Sequence, residues 1–297
     1  MPAFAEARSL TTTMALGGSP FNVIVGDRGQ LQGFLAGQPR GIFFSPSELA
    51  GDAGFFLAFS EDGNAPEDVR GRVFGFEGGA GPDGPSDYIP QGQSPVSGTG
   101  APESPLRQET RYAVADYDGG AVAKVTQTTS YVTGQGRFRV DWTVINASGA
   151  PLNFRALAAA DFYYDGDDWG NGFFTPGPPR FVGGTNSDTG RTGGLEEVSD
   201  GGVLPWSAYE ALAYGDDPPT VDDQDELRRE VWWVVDNAWD DGVGFADNVV
   251  RGHVDNAGGV EWNQYRTVAL APGQQARFAL VVRAAVPASL QLLPANG

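Results

Sequence analysis

The chain has 297 residues, 40% hydrophobic and 11% aromatic, which is enough to bury a substantial core and too apolar for a disordered polypeptide. Its 38 acidic residues outweigh 19 basic ones for a formal net charge of −19, a field that repels phosphate backbones, argues against nucleic acid as a partner and favours a soluble monomer. Cysteine is absent, which excludes disulfides, thiolate metal sites and cysteine nucleophiles, and no run of about 18 apolar residues exists to make a spanning helix.

The first residues, MPAFAEARS, carry the small-residue spacing that ends a signal-peptide cleavage region. They point to an extracellular or cell-surface protein, with an ordinary terminus as the other reading. Residues 21–44, FNVIVGDRGQLQGFLAGQPRGIFF, offer a few strands but are too Gly-rich for an independent core. They are therefore expected to pack on later sheets within one domain spanning residues 1–297. SPSELAG, residues 45–51, has an N-cap pattern at Ser45 or Ser47 and predicts a short helix. Residues 77–106 are rich in Gly, Pro and Ser and predict a flexible loop.

The clearest periodicity begins at residue 121. AVAKVTQTTSYV is rich in β-branched residues, TGQG is a hairpin loop, and RFRVDWTVIN alternates Phe138, Val140, Trp142 and Val144 against Arg137, Arg139, Asp141 and Thr143. NASGAP turns the chain into a third strand, LNFRALAAADFYYD. There Leu152, Phe154, Ala156, Ala158, Ala160, Phe162 and Tyr164 occupy one face. A meander of three strands is the expected arrangement. Further on, DDQDELRREV predicts a turn or two of helix, REVWWVVDN a strand, and QARFALVVRAAV a long strand entered through the turn APGQ. With 43 Gly and 21 Pro, loops are long and helices scarce. The expected fold is all-β, a large antiparallel β-sandwich.

The segments GDRGQLQGFLAGQPRGIFF, FRVDWTVINASGAPLNFRALAAADFYY and TVALAPGQQARFALVVRA together resemble the galactose mutarotase-like β-supersandwich family. The resemblance implies that fold. Its mutarotases carry a histidine where the long central strand ends; Asp161 stands there in this chain, and the one histidine is His253. Glu261, in GGVEWNQY, is the residue placed to serve as a glutamate base. The supersandwich polysaccharide lyases, which use His, Tyr and Asn, meet the same shortage of histidine.

The stretch DFYYDGDDWGNGFF, residues 161–174, concentrates the candidate chemistry. Asp165, Asp167 and Gly170 match positions 1, 3 and 6 of a calcium loop, but Trp169 and Pro176 occupy positions 5 and 12, which excludes an EF-hand. A looser Ca²⁺ site from Asp165, Asp167, Asp168 and Asn171 is the metal expectation; an acidic turn facing solvent is its alternative. Tyr163, Trp169, Trp206, Trp239 and Trp262 lie near turns, where aromatic faces can stack on sugar rings while carboxylates accept hydroxyls. Trp142 and Trp233 sit on alternating apolar faces and read as core. For glycoside hydrolysis the strand-end acids are Asp161, Glu230, Asp255 and Glu261. PPTVDDQDE, residues 218–226, is a solvated acidic run or a second cation site. No phosphate loop or dinucleotide fingerprint occurs in a suitable context, so no nucleotide cofactor is expected. Three classes remain: a carbohydrate-binding module, a carboxylate-dependent glycosidase or divergent epimerase, and a structural or adhesive surface protein.

Overall fold

The structure, a computed structural model, describes residues 13–18, 20–44, 47, 49–60, 65–76, 86–214, 245, 247–263 and 269–285. Three strands open the chain, β1 Thr13–Leu16, β2 Phe21–Gly26 and β3 Leu31–Leu35, and they form a small antiparallel sheet of their own. Next come β4 Ala53–Phe59, a 3₁₀ turn at Glu67–Val69, β5 Val73–Gly75, β6 Ser86–Asp87 and β7 Ile89–Gln93. The long central strands are β8 Leu106–Ala115, β9 Ala121–Tyr131, β10 Arg137–Asn146 and β11 Leu152–Asp161. After them run β12 Trp169–Thr175, β13 Phe181–Asn186, β14 Thr192–Glu197 and β15 Ala208–Tyr214. The chain ends with β16 Asn248–Val249, β17 Val254–Trp262, β18 Ala269–Leu270 and β19 Gln275–Ala285.

All strands from β4 onward join one sheet, in the order β6-β5-β4-β11-β17-β12-β13-β14-β19-β10-β9-β8-β7, with β15 also beside β17. The pairings are antiparallel except for the short β5–β6 and β15–β16 contacts. The sheet closes over its own core. Trp142 of β10 stacks on Phe55 of β4 at 4.8 Å, although those strands lie far apart in the strand order. Trp262 of β17 packs 6.1 Å from Trp142, and Phe278 of β19 lies 5.9 Å from Phe55. Phe21 of the small sheet meets the same core edge-on against Phe138 at 5.7 Å. The architecture is the all-β sandwich expected from the alternation, and no helix of the described residues is long and apolar enough to cross a membrane.

Three local expectations are corrected. The meander stops after two strands: β10 pairs with β9 and β19, whereas β11 crosses to lie between β4 and β17. The reason is burial. β11 is covered on both faces, with Ala156, Ala158 and Ala160 in the main core and Leu157 and Ala159 in a second apolar cluster beside Phe56, Phe76 and Phe245. Its place between β4 and β17 covers that second face, whereas the outward positions of β10 stay partly solvated. Asn146 anchors the crossing, its Nδ2 donating to the carbonyls of Ala150 (2.7 Å) and Leu270 (2.8 Å). Of the segment 45–51, residues 47, 49 and 50 lie in turns and bends rather than a helix, with the Gly51 amide donating to the Leu31 carbonyl at 3.2 Å, and Ser45, Pro46 and Glu48 lie outside the described residues. Within the predicted loop, Ile89–Gln93 pairs with β8 as an edge strand. Pro90 is tolerated at that edge, and a bulge at Gly92 (φ 108°) restores the register.

Candidate functional site

The end of β11 shows how the acidic stretch is built. The Phe162 amide donates to the Asn256 carbonyl (2.8 Å), and the Asn256 amide donates to the Asp168 carbonyl (2.9 Å). Residues 163–167 thus leave the β17 edge as a loop, and Trp169 rejoins it opposite Asp255. Inside the loop Tyr164 and Asp167 exchange backbone hydrogen bonds across Asp165 (φ 56°) and Gly166 (φ 96°). Two successive left-handed residues make a type I′ turn, for which Asp-Gly is the strongest sequence signal. Phe162 and Tyr164 enter the core and stack at 5.8 Å, as the alternation requires. Asp161 and Tyr163 point the other way and are nevertheless buried, Tyr163 against Phe44 and hydrogen-bonded to Arg40. Tyr163 also donates to the Gly166 carbonyl at 2.6 Å, which holds the turn in place.

This geometry spends most of the predicted cation ligands elsewhere. Asp165 is ion-paired with Arg191 at 2.6 Å. Asp167 accepts the Trp169 amide at 3.2 Å, and Asn171 donates to the Ser187 hydroxyl at 3.1 Å. Burial raises the pKa of the Asp168 carboxyl, and a hydrogen bond shared with Asp167 pushes the same way. Among the described residues no group of three or more His, Asp or Glu side chains is arranged to hold a metal ion. The acidic run 218–226 lies outside the described residues.

The predicted aromatics divide sharply. Trp262 is wholly buried, packed on Trp142, Phe55 and Phe278, so it is a core residue and not a sugar platform. The correction has a simple cause: position 262 shares the inward parity of Val260, and proximity to a turn does not override it. Trp206 is also buried, beneath the Arg180 guanidinium at 5.5 Å. Trp169 is 45% exposed and lies 5.3 Å from the His253 imidazole at an interplanar angle of 32°. Trp239 and Glu230 lie outside the described residues.

The remaining predicted acids share one face. Leu157 and Ala159 lie in the second apolar cluster, and the parity of β11 puts Asp161 with them. On β17 the same face carries Asp255, Ala257, Gly259 and Glu261, since Asp161 pairs with Ala257 and Leu157 with Glu261. Asp161 and Asp255 are therefore diagonal neighbours, about 7–8 Å apart across two strands. Glu261 is fully buried, accepts the Phe245 amide (3.0 Å) and pairs with Arg155 at 3.4 Å. Asp161 adds to the burial that raises the Tyr164 pKa well above its ordinary value.

Two participants escaped the sequence reading. Glu210 of β15 sits opposite Gly259, on the same face as Glu261. Its alternation in AYEALAY was the available sign. His253 was read alone, and only the β17 register carries it to Trp169.

No protein-family model matches the chain, and no curated protein matches it. It is similar to several solved structures. One is a Klebsiella pneumoniae protein named as a candidate aldose 1-epimerase, at 11% identity, covering 89% of this chain and 76% of that one with a TM-score of 0.43. A candidate aldose 1-epimerase from Escherichia coli K12 is 13% identical, covers 93% and 99% and has a TM-score of 0.40. A galactose mutarotase-like protein from Lactobacillus casei is 13% identical, covers 92% and 100% and has a TM-score of 0.36. The solved structures similar to this chain thus include two candidate aldose 1-epimerases and a galactose mutarotase-like protein.

Proposed function

We propose that this protein binds carbohydrate through the platform formed by Trp169 and His253 at the rim of β12 and β17. The observation that carries the reading is the exposed indole of Trp169, set in register with Asp255 and beside the imidazole of His253. Indole faces stack on the C–H faces of sugar rings, and adjacent carboxylates and imidazoles take the hydroxyls, which gives an amphipathic ligand both of the contacts it needs. Extracellular or cell-surface action belongs to the same proposal. Affinity electrophoresis in gels containing soluble neutral polysaccharides is the test. Trp169→Ala is expected to lose up to about tenfold in retention-derived affinity, the scale of one stacking contact. Tyr117→Ala, at another exposed ring away from the site, should behave as the parent. Equal retention of all three proteins refutes the platform.

A second reading rests on Asp161 and Asp255, which share a face at a spacing compatible with paired-carboxylate hydrolysis. Asp161 is buried and Asp255 partly open, the asymmetry that separates an acid from a base. Release of reducing sugar that disappears in both Asp161→Asn and Asp255→Asn supports it; release from neither parent nor variants rejects it.

A further inference from the structure

The outward face of β8, β9, β10, β19 and β14 carries a pattern that the carbohydrate platform does not use. Three carboxylates each stand between two arginines. Glu109 meets Arg107 and Arg111, both at 3.0 Å. Asp141 meets Arg139 at 2.6 Å and Arg277 at 3.8 Å. Glu196 meets Arg137 at 3.6 Å and also pairs with Arg283. Among the described residues one further acid, Asp200, joins this set, through Arg139 at 2.7 Å. Six guanidiniums thus face four carboxylates in a chain whose net charge is −19. In the three central trios the arginines are the more open partners: the Arg111 side chain is 60% exposed and the Glu196 side chain 8%, whereas Asp200 at the margin is 48% exposed.

The register gives the face a direction. Glu109, Thr128 and Asp141 form one cross-strand row, flanked by Arg107–Ser130–Arg139 and Arg111–Thr126–Thr143. Strand β9 therefore contributes a floor of hydroxyls, while β8 and β10 contribute arginines along its two sides. Neighbouring strands are about 4.8 Å apart, so the two cationic rails stand about 10 Å apart. From this we infer that the face is a binding surface for a linear anionic polysaccharide lying along β9. Arginine forks pair with carboxylate or sulfate groups, and the Thr and Ser hydroxyls bond the sugar hydroxyls between them. Nucleic acid fits less well. No outward residue of β8, β9, β10 or β19 is aromatic and able to stack on a base, and duplex DNA presents a charge about every 1.7 Å to a strongly acidic protein. A glycan with one charge per sugar or disaccharide meets less of that repulsion.

The inference is independent of the Trp169 platform, and the experiment separates them. Affinity gels contain polygalacturonate, dextran sulfate or neutral dextran, and a labelled single-stranded oligonucleotide is followed by anisotropy. The parent is expected to be retarded by a charged glycan, with retardation falling as sodium chloride rises from about 50 to 500 mM. Which charged gel retards it assigns the group as carboxylate or sulfate. Arg107→Gln combined with Arg111→Gln should weaken the interaction about tenfold while the melting temperature moves by no more than about 4 °C, whereas Trp169→Ala should leave it intact. Thr128→Glu, which places a carboxylate on the floor, should abolish it. Undiminished retardation of the double variant and of Thr128→Glu overturns the inference. So does capture of the oligonucleotide without retardation in either charged gel, or retardation that ignores salt.

Discussion

The outward faces of the two halves of the sheet make an instructive pair. On β11, β17 and β15 the alternate positions carry Arg155, Glu261, Asp161 and Glu210; on β8, β10 and β19 they carry Arg107, Arg139, Arg277 and Glu109. Both therefore present charge at alternate positions, yet the Arg155 side chain is 2% exposed and the Arg107 side chain 52%. The difference lies in what covers each face. Phe56, Phe76 and Phe245 form a second apolar layer over the first, and the second faces water. An ion pair that looks alike in sequence has opposite energetics in the two places. Charges taken out of water depend on each other, whereas exposed charges are already solvated.

Three variants grade that contrast by degree of cover. The largest effect is expected for Arg155→Met, which breaks the pair with the fully buried Glu261 and should lower unfolding stability by about 3–5 kcal/mol in chemical denaturation. A loss below about 1 kcal/mol would mean that the second layer admits water.

Glu197 is intermediate. Burial alone would raise its pKa, but two hydrogen bonds from Arg180 (2.7 and 2.5 Å) outweigh burial and hold it below the ordinary value of 4.5. A lowered folded pKa gives stability that is present above the unfolded value and lost as pH falls through the folded one. Glu197→Gln should therefore cost about 1–3 kcal/mol at pH 7, and its stability should converge on that of the parent only as pH falls through the lowered folded pKa, below the ordinary carboxylate range. A constant gap across the acid range would show that the carboxylate's charge is not what matters.

The smallest effect belongs to the exposed face. Arg107→Gln with Arg111→Gln should shift stability by no more than about 1 kcal/mol, and the shift should vanish at high salt. A larger loss would mean that this face is covered after all.

The strand alternation was legible because a period of two survives wherever one face is apolar: Phe138, Val140, Trp142 and Val144 all proved inward. The acidic turn was half legible. Its Asp-Gly pair announces a type I′ turn, but nothing local to residue 165 shows that Arg191 will neutralise it. Trp169 and Trp262 read alike from their neighbourhoods, and one is exposed while the other is buried. The parity of β17 separates them, and that parity depends on a register set by β11 and β15.

By itself the sequence determined the strand-rich composition, the inward residues of β10 and β11, and an overall negative field, because these follow from local periodicity and from sums over the chain. Only the tertiary structure decided that β11 leaves its neighbour to become doubly buried, that His253 meets Trp169, and that arginines more than a hundred residues apart line one face of an acidic protein. Those outcomes are long-range pairings. They depend on which strands become neighbours, which is a property of the closed sheet and not of any single segment.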